Sequence, residues 1–332
     1  MTPIESNASS HIRQPARLAA PYINFKDASL PCLDALRTSI GFDLWMVTRA
    51  RGNELVVLAV LDRFYGITEG TSLPWSDSLC RRMVAGEGPR IAPATRNIAP
   101  YADAGFSTTY RIAAYIGIPI ATGTGTFVGT LCAFNPVAME EDITRHEALI
   151  EASARMLATL LDRERASAEE SRQAEQVEAK MYIDRETGIQ TEPGWRELLT
   201  GEESRCAQLG HGVGVIVVSL DDLADTRTRV GRPPNDWVLR RGVEIVRIHL
   251  PREAIIARIG VAQLVAIVQA PDGEEATQET LNALHAGLDD SRIKHSMGFK
   301  MRDPRGGLLQ AWREATLSLR PHTKRATELT SG

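Results

Sequence analysis

Residues 258–268 read Arg-Ile-Gly-Val-Ala-Gln-Leu-Val-Ala-Ile-Val, an apolar run interrupted by one glycine near its start. Strand-forming residues on both sides of a short glycine turn are typical of an antiparallel β-hairpin. The stretch therefore predicts two paired strands joined at residues 260–263. The turn contains no acidic residue.

Three other segments extend this pattern through the second half of the chain. Residues 213–220 form a near-continuous apolar run, typical of a buried core strand, and continue as Ser219-Leu220-Asp221-Asp222-Leu223. The sequence Asp184-Arg185-Glu186-Thr187-Gly188-Ile189 precedes this strand and predicts a turn, while residues 237–246 have helical periodicity. Strands interspersed with helices predict a mixed α/β domain.

Together these segments resemble the diguanylate cyclase (GGDEF) domain over residues 184–325. The turn at 184–189 is similar to the Asp-x-Leu-Thr-Gly-Leu opening of that family, and residues 219–223 are similar to its Asp-x-Asp-x-Phe-Lys signature. Residues 312–320 stand where the family has its Ala-Asp-x-Ala-Leu-Tyr-x-Ala-Lys helix, and Arg320 keeps the charge of the final lysine. The resemblance implies a nucleotidyl-cyclase fold.

The positions that carry cyclase chemistry in this family hold different residues here. The family has two glycines, two acidic residues and a phenylalanine at 260–264, but Ala262 and Gln263 occupy the acidic positions. Ser219 replaces an aspartate that binds magnesium in active relatives. Since joining two GTP molecules requires metal ions held by carboxylates, the resemblance implies a domain with no metal site and no catalytic residue. The alternative is a low-activity diguanylate cyclase that makes cyclic di-GMP.

Three other residues are candidates for nucleotide binding. The guanine-contacting asparagine of the family aligns with Arg227, and its second base-contacting residue aligns with Asp236. Arg320 is the third candidate, and GTP with Mg²⁺ is the ligand that these positions would hold. An aspartate that opens a helix also favours the helix N-terminus, so Asp236 has a purely structural alternative.

The first half of the chain alternates strand and turn signals over residues 25–141, which predicts an antiparallel sheet flanked by helices. Residues 86–93, 114–120 and 129–134 resemble a GAF domain, a small-molecule sensor fold. The expected fold class is therefore α/β (α+β): a GAF domain, a linker helix and a GGDEF-like domain.

In a GAF domain the ligand lies between the sheet and a cover that maps here to residues 73–83 and 100–110. The candidate pocket residues are Trp75, Cys80, Tyr101, Phe106, Tyr110 and Tyr115. The alternative is that these side chains form a core that holds the loops down. Cys80 precedes Arg81 and Arg82, whose charge would lower a thiol pKa and permit redox sensing, whereas Cys132 in an apolar strand is expected to be a small buried hydrophobe.

Residues 142–183 contain no glycine or proline and are rich in Ala, Glu, Arg and Leu, which predicts one long linker helix. Apolar residues recur at heptad spacing on two registers, which polar residues interrupt at 163, 167 and 170. The first register contains Leu149, Met156 and Val177, and the second contains Leu160, Ala174 and Met181. This pattern predicts a homodimer through a coiled coil, and the alternative is a monomeric spacer.

The composition limits the class of protein. A chain of 332 residues with 43% hydrophobic and 24% charged residues predicts a globular protein of two domains. A net charge of −4 argues against nucleic-acid binding, and four widely separated cysteines signal neither a zinc site nor disulfides. No signal peptide or membrane span is evident, so we expect a cytoplasmic protein with flexible tails at 1–24 and 326–332. The expected partners are a cyclase or a phosphodiesterase.

Overall fold

A computed structural model of the protein describes residues 20–139, 141–224, 236–270 and 273–321. Two antiparallel β-sheets, one in each half of the chain, are connected by a long helix. We call residues 20–139 the first half and residues 184–321 the second half. Although the long helix has 32 residues, neither it nor any other helix in the described ranges is apolar enough to cross a membrane.

The first half contains a six-stranded sheet in the order β3-β2-β1-β6-β5-β4. Its strands are β1 (Leu44–Arg51), β2 (Glu54–Asp62), β3 (Ser72–Pro74), β4 (Ile91–Ala92), β5 (Ala114–Ala121) and β6 (Phe127–Asn135). The helices are α1 (Phe25–Ile40), α2 (Leu79–Val84), α3 (Ala99–Ala102), α4 (Gly105–Tyr110) and, after it, the long helix α5 (Glu147–Glu178). One sheet face packs against α1 and α5, and the other packs against a cover formed by α2, α3 and α4.

The second half contains a five-stranded antiparallel sheet in the order β11-β10-β7-β9-β8. Its strands are β7 (Val213–Leu220), β8 (Ile255–Ile259), β9 (Gln263–Gln269), β10 (His295–Met301) and β11 (Arg320–Pro321). The helices are α6 (Glu192–Leu209), α7 (Asp221–Ala224), α8 (Asp236–His249), α9 (Glu274–Asp290) and α10 (Gly307–Leu317). Helices α6 and α10 pack on one sheet face, and α8 and α9 pack on the other. The sequence-predicted hairpin at 258–268 is β8 and β9.

Two helices differ from the sequence prediction. The apolar pattern of the sequence predicts a short amphipathic helix over residues 33–40, but α1 begins at Phe25 and continues through Pro31. Asn24 caps the N-terminus of α1. Burial of the Phe25 and Ala28 side chains offsets the loss of the backbone hydrogen bond that Pro31 cannot donate. The linker was expected to be one helix over 142–183, whereas α5 is flanked by 3₁₀ turns at Glu141–His146 and Ala179–Tyr182.

A buried carboxylate joins the linker helix to the second half. Glu202 on α6 has no exposed surface, and it accepts hydrogen bonds from Arg172 on α5 (3.0 and 3.1 Å) and from Arg205 (2.9 Å). It also contacts His211 Nε2 at 2.9 Å and accepts a bond from Gln269 at 2.7 Å. We call these five residues the Glu202 cluster.

The electrostatics of the Glu202 cluster favour the ionised carboxylate. Burial raises the pKa of Glu202, but hydrogen bonds from His211, Arg172 and Gln269 outweigh burial and hold the pKa well below its usual range. Burial lowers the pKa of His211 despite its contact with Glu202, so the imidazole is neutral near pH 7. The result is a charged Glu202 that is fully hydrogen-bonded by two arginines and two neutral groups.

The first half also contacts the second half directly. Arg49 on β1 donates a hydrogen bond from Nη1 to the carbonyl oxygen of Leu209 at 2.8 Å. Burial lowers the pKa of Arg49 to about 10, since the contact replaces water with a neutral carbonyl. The side chain of Arg51 lies against Gly212, where a Cβ atom would approach its Cδ to 2.8 Å. The end of β1 therefore abuts the loop between α6 and β7.

We predict that Glu202→Gln destabilises the protein by about 1–3 kcal/mol, because Arg172 and Arg205 lose their shared buried carboxylate and keep only their partly exposed partners Glu169 and Glu175. Urea unfolding of the purified protein measures this loss. The contribution is present above the ordinary carboxyl pKa of 4.5 and is lost as the pH falls toward the depressed folded value. Glu192→Gln breaks an exposed pair with Arg196 on the same helix and should cost less than about 1 kcal/mol. Equal losses for the two variants would contradict the prediction.

Candidate functional site

The β8–β9 hairpin ends at the edge of the second sheet where the cyclase resemblance would place an active site. Gly260 has a φ of +64°, a left-handed conformation that favours glycine, and nothing lies within 4 Å of a Cβ added there. The backbone amide of Leu220 donates to the carbonyl oxygen of Ala262 at 2.8 Å, which fixes the turn against the end of β7. The hairpin geometry is therefore intact at this edge.

Two of the three predicted site residues lie side by side. Ser219 on β7 is the cross-strand partner of Gln263 on β9, and Ser296 on β10 is its partner on the other side. Cross-strand partners in an antiparallel sheet project from the same face. This edge therefore presents a row of three neutral polar side chains, and Ser219 and Gln263 are both half-buried.

Ala262 does not join that row. Its methyl group belongs to the core cluster on the other sheet face, which also contains Leu220 and Leu264. Asp221 lies beside the row, and its carboxylate accepts a hydrogen bond from the Ser296 hydroxyl at 2.9 Å. Neither serine nor glutamine supplies the anionic oxygen that Mg²⁺ prefers, so the row is a poor metal site.

Among the described residues, three potential metal ligands come together at Glu202, Cys206 and His211. Burial raises the pKa of the Cys206 thiol to about 12, which disfavours the thiolate that a metal would need. The oxygens of Glu202 are already occupied by arginine, histidine and glutamine donors. This group is therefore an ion-pair cluster, and its chemistry does not fit a metal centre.

Arg258 on β8 joins the hairpin to the turn that opens the second half. Its Nη1 donates to Asp184 at 3.0 Å and to Glu186 at 2.7 Å. Asp184 in turn accepts a hydrogen bond from the Thr187 hydroxyl at 2.8 Å. Burial raises the pKa of Asp184, but the bonds from Thr187 and Arg258 outweigh it and lower the pKa. The end of the linker is thus tied to the strand that leads into the hairpin turn.

The structure brings only part of the predicted nucleotide site into view. Arg227 lies outside the described residues, and Asp236 begins α8 without a described side chain. Arg320 is exposed on β11, where it pairs with Met297. The expectation that residues 312–320 form one helix is wrong, because α10 ends at Leu317. The Ser318 hydroxyl donates a hydrogen bond to the carbonyl oxygen of Ala315. Arg320 therefore lies on an edge strand.

The six predicted pocket residues of the first half do lie together beneath the cover. Cys80, Tyr101, Phe106 and Tyr115 are buried, while Trp75 and Tyr110 are partly buried. Their rings pack on one another, with centroid distances of 5.3 Å between Tyr101 and Tyr115 and 4.5 Å between Phe106 and Tyr110. They form the core between the sheet and its cover.

The pKa of Cys80 is lowered by a different group from the one that the sequence predicts. Arg81 and Arg82 form ion pairs with Glu87, and Arg82 also pairs with Asp77. The pKa of the Cys80 thiol is lowered instead by the neighbouring Cys132 thiol, against burial, with smaller contributions from Tyr115 and Thr130. Cys132 is buried, as expected, and shares the Thr130 hydroxyl with Cys80. Sequence spacing could not reveal this contact, because it joins a helix to a distant strand.

Comparisons with known proteins add a likeness in fold for one part of the chain. No protein-family model matches the chain, and no curated protein matches it. Among solved structures, the coiled coil and GGDEF domain of DgcB from Caulobacter crescentus, in complex with c-di-GMP, is 17% identical with a TM-score of 0.38, covering 49% of this chain and 91% of that one.

Two further structural neighbours are also GGDEF proteins. A sensory box/GGDEF family protein from Caulobacter crescentus is 18% identical with a TM-score of 0.36, covering 42% of this chain and 95% of that one. The FimX GGDEF domain from Pseudomonas aeruginosa is 16% identical with a TM-score of 0.36, covering 41% of this chain and 93% of that one.

We predict that Ser219→Asp combined with Gln263→Glu creates a saturable Mn²⁺ site, because the two new carboxylates would be cross-strand neighbours on one face. Titration followed by the electron paramagnetic resonance of free Mn²⁺ measures the binding. The wild type and the neutral control Ser219→Asn should show no such site over the same concentrations. Saturable binding to the wild type that Asp221→Ala abolishes would contradict the prediction.

Proposed function

We propose that the protein is a cyclic di-GMP-related signalling protein in which a GAF-type sensor, residues 25–141, controls a catalytically inactive GGDEF-like domain, residues 184–325. Residues 142–183 form the transmitter between them. The output domain acts by binding a partner or a nucleotide rather than by turnover. Most of the tail expected at residues 1–24 and all of the tail expected at 326–332 lie outside the described residues.

The proposal rests on the sheet edge where the β8–β9 hairpin meets β7. The three positions that are acidic in the cyclase family carry no carboxylate at this edge. Metal ions in phosphoryl and nucleotidyl transfer neutralise charge that develops at the phosphate, and they are held by acidic side chains. Ser219 and Gln263 are neutral, and the methyl group of Ala262 lies in the core. Loss of this stabilisation removes several kcal/mol from transition-state binding, which amounts to many powers of ten in rate.

The first half supports a sensing role through its architecture. A six-stranded antiparallel sheet has α1 and α5 on one face and a cover of short helices on the other, and the cover encloses Trp75, Tyr101 and Tyr115. A small ligand that displaced part of this cover would act on the sheet and, through its opposite face, on α5.

The linker supports transmission and dimerisation. Most apolar residues of α5 face the first sheet. Four apolar side chains at heptad spacing are exposed on α5 and the turn after it: Leu149, Met156, Val177 and Met181. Polar residues interrupt this stripe in the middle. We propose that a second copy of the chain covers the stripe as a two-stranded coiled coil, since heptad spacing is what such packing requires. Arg172 then connects the dimer helix to the Glu202 cluster of the output domain.

Nucleotide or protein binding would give this domain its output. Arg227, Asp236 and Arg320 are the positions that we propose for GTP or cyclic di-GMP, with Mg²⁺ carried on the nucleotide. An active cyclase or a phosphodiesterase is the proposed protein partner, engaged through the same sheet edge and its flanking helices. Cytoplasmic signalling fits each of these partners.

We predict that the purified full-length protein forms no cyclic di-GMP from GTP with Mg²⁺ or Mn²⁺ over several hours, because the hairpin edge holds no metal ion. Chromatographic separation of the nucleotides measures the product, and an active cyclase assayed in parallel is the positive control. Product formation that Asp221→Ala blocks would overturn the proposal and identify the protein as a low-activity diguanylate cyclase.

We predict that the protein is a dimer and that Leu149→Glu combined with Met156→Glu makes it monomeric, because two charges would then face each other across the seam. Light scattering at micromolar concentration measures the mass. The control variant Ala148→Glu with Arg155→Glu places both glutamates one residue earlier, away from the seam. It should remain dimeric. A monomeric wild type, or equal masses for the two double variants, would contradict the coiled coil.

A further inference from the structure

Two buried thiols meet beneath the cover of the first half. Cys80 lies on α2 and Cys132 on β6, and both thiols lie beside the Thr130 hydroxyl. The Thr130 hydroxyl lies 3.5 Å from the sulfur of Cys80 and 3.7 Å from that of Cys132. Cys80 and Cys132 are at most 1% exposed. One hydroxyl thus bridges two sulfur atoms in the core.

The sheet is built to admit further polar groups beside this pair. Thr130 pairs across the strands with Thr48, and their hydroxyls are 2.9 Å apart. Gly117 is the cross-strand neighbour of Cys132, and a Cβ atom at Gly117 would meet the Tyr115 hydroxyl at 1.9 Å. The missing side chain therefore makes room for the Tyr115 hydroxyl. We call Thr48, Cys80, Tyr115, Thr130 and Cys132 the thiol cluster.

The Tyr115 hydroxyl is buried and has no hydrogen-bond partner among the described residues. Its proximity lowers the pKa of the Cys80 thiol. An unsatisfied buried hydroxyl costs about 1–3 kcal/mol. The surrounding core is otherwise apolar, with Met46, Leu79 and Phe134 in the same cluster. A phenylalanine and two valines would suit such a core better, so the polar atoms call for a chemical explanation.

The two thiols differ in acidity. The neighbouring Cys132 thiol lowers the pKa of Cys80 against the effect of burial, whereas burial raises the pKa of Cys132 well above its ordinary value. In such a pair the more acidic thiol is the nucleophile and the less acidic thiol is the proton donor. Cys80 therefore has the character of an attacking thiol and Cys132 that of a resolving thiol.

We propose that Cys80 and Cys132 are a hydroperoxide-reactive dithiol that forms an intramolecular disulfide. Its significance as the input signal rests on the proposed sensor function, but the reaction itself does not. A hydroperoxide is the fitting oxidant because both sulfurs are covered, so that a small uncharged molecule reaches them more readily than glutathione disulfide or another bulky oxidant.

The chemistry takes two steps. The Cys80 sulfur attacks one peroxide oxygen, the O–O bond breaks, and the leaving oxygen departs as water with the Cys80 thiol proton. The Cys132 sulfur then attacks the Cys80 sulfenic acid, the S–O bond breaks, and a second water leaves with the Cys132 thiol proton. Two thiols and one hydrogen peroxide thus give one disulfide and two waters, and the two electrons lost by sulfur reduce the peroxide.

The disulfide would connect the cover to the strand that leads into the linker. Cys80 is in α2, which belongs to the cover, and Cys132 is three residues before the end of β6. After β6 the chain continues through the turn at Glu141–His146 into α5. A covalent bond here would fix the cover against the sheet and change the strand next to the transmitter helix.

We predict that hydrogen peroxide converts the reduced full-length protein into a species in which Cys80 and Cys132 are joined and which dithiothreitol reverses. Alkylation after denaturation, followed by peptide mass spectrometry, measures the bond. Cys32 and Cys206 are internal controls, because they are buried too, burial raises the pKa of both thiols, and neither should lose its thiol. Recovery of Cys80 and Cys132 as free thiols, or oxidation of all four cysteines alike, would overturn the proposal.

A second variant tests the cluster without removing a sulfur. Tyr115→Phe keeps the ring in the core but deletes the hydroxyl beside Cys80, and it should slow disulfide formation several-fold. Tyr110→Phe removes a hydroxyl from the same cover and is the matched control, with an unchanged rate. Equal rates for both variants would overturn the assignment of Tyr115 as an activating residue. These readouts do not involve cyclase activity, so they stand apart from the test of the inactive output domain.

Discussion

The buried carboxylate of Glu202 is the interaction on which the arrangement of the two halves depends. The Glu202 carboxylate contacts Arg172 on the linker helix and Arg205 on its own helix. It also contacts His211, just before β7, and Gln269, at the end of β9. A charge in the protein interior is tolerated only when such donors surround it. A shift of α5 along its axis would withdraw both Arg172 donors from Glu202 and separate Arg205 from Glu175, so the linker has one preferred register on the second half.

This constraint completes a continuous path of contacts from the first half of the chain to the second. One face of the first sheet packs on α5, and the other packs on the cover that holds the thiol cluster. The far end of α5 enters the Glu202 cluster, and the next turn is tied through Asp184 and Arg258 to the hairpin. A change beneath the cover could therefore reach the hairpin edge through packed elements, each biased by a named contact.

Local signals in the sequence predicted the local structure well. Gly260 and the apolar residues around it predict the β8–β9 hairpin, because turn chemistry and strand periodicity act over a few residues. The helix predicted over residues 33–40 begins eight residues earlier, at Phe25, because the burial of Phe25 outweighs the cost of Pro31 inside the helix. The Glu202 cluster and the contact between Cys80 and Cys132 could not be predicted, because each joins polar groups that are far apart in sequence. The site residues were predicted from alignment alone, and the structure shows that Ser219 and Gln263 face each other while Ala262 points away.

The most direct test of the central claim is the calorimetric titration of GTP into the full-length protein, once with Mg²⁺ and once with a chelator. With Ser219 and Gln263 in place of carboxylates, this edge lacks the anionic oxygens that would hold a metal ion between protein and phosphate. We therefore predict that Mg²⁺ does not strengthen GTP binding, whatever the affinity without it. A substantial gain in affinity on adding Mg²⁺ would contradict the claim and would show that this hairpin edge still binds a metal.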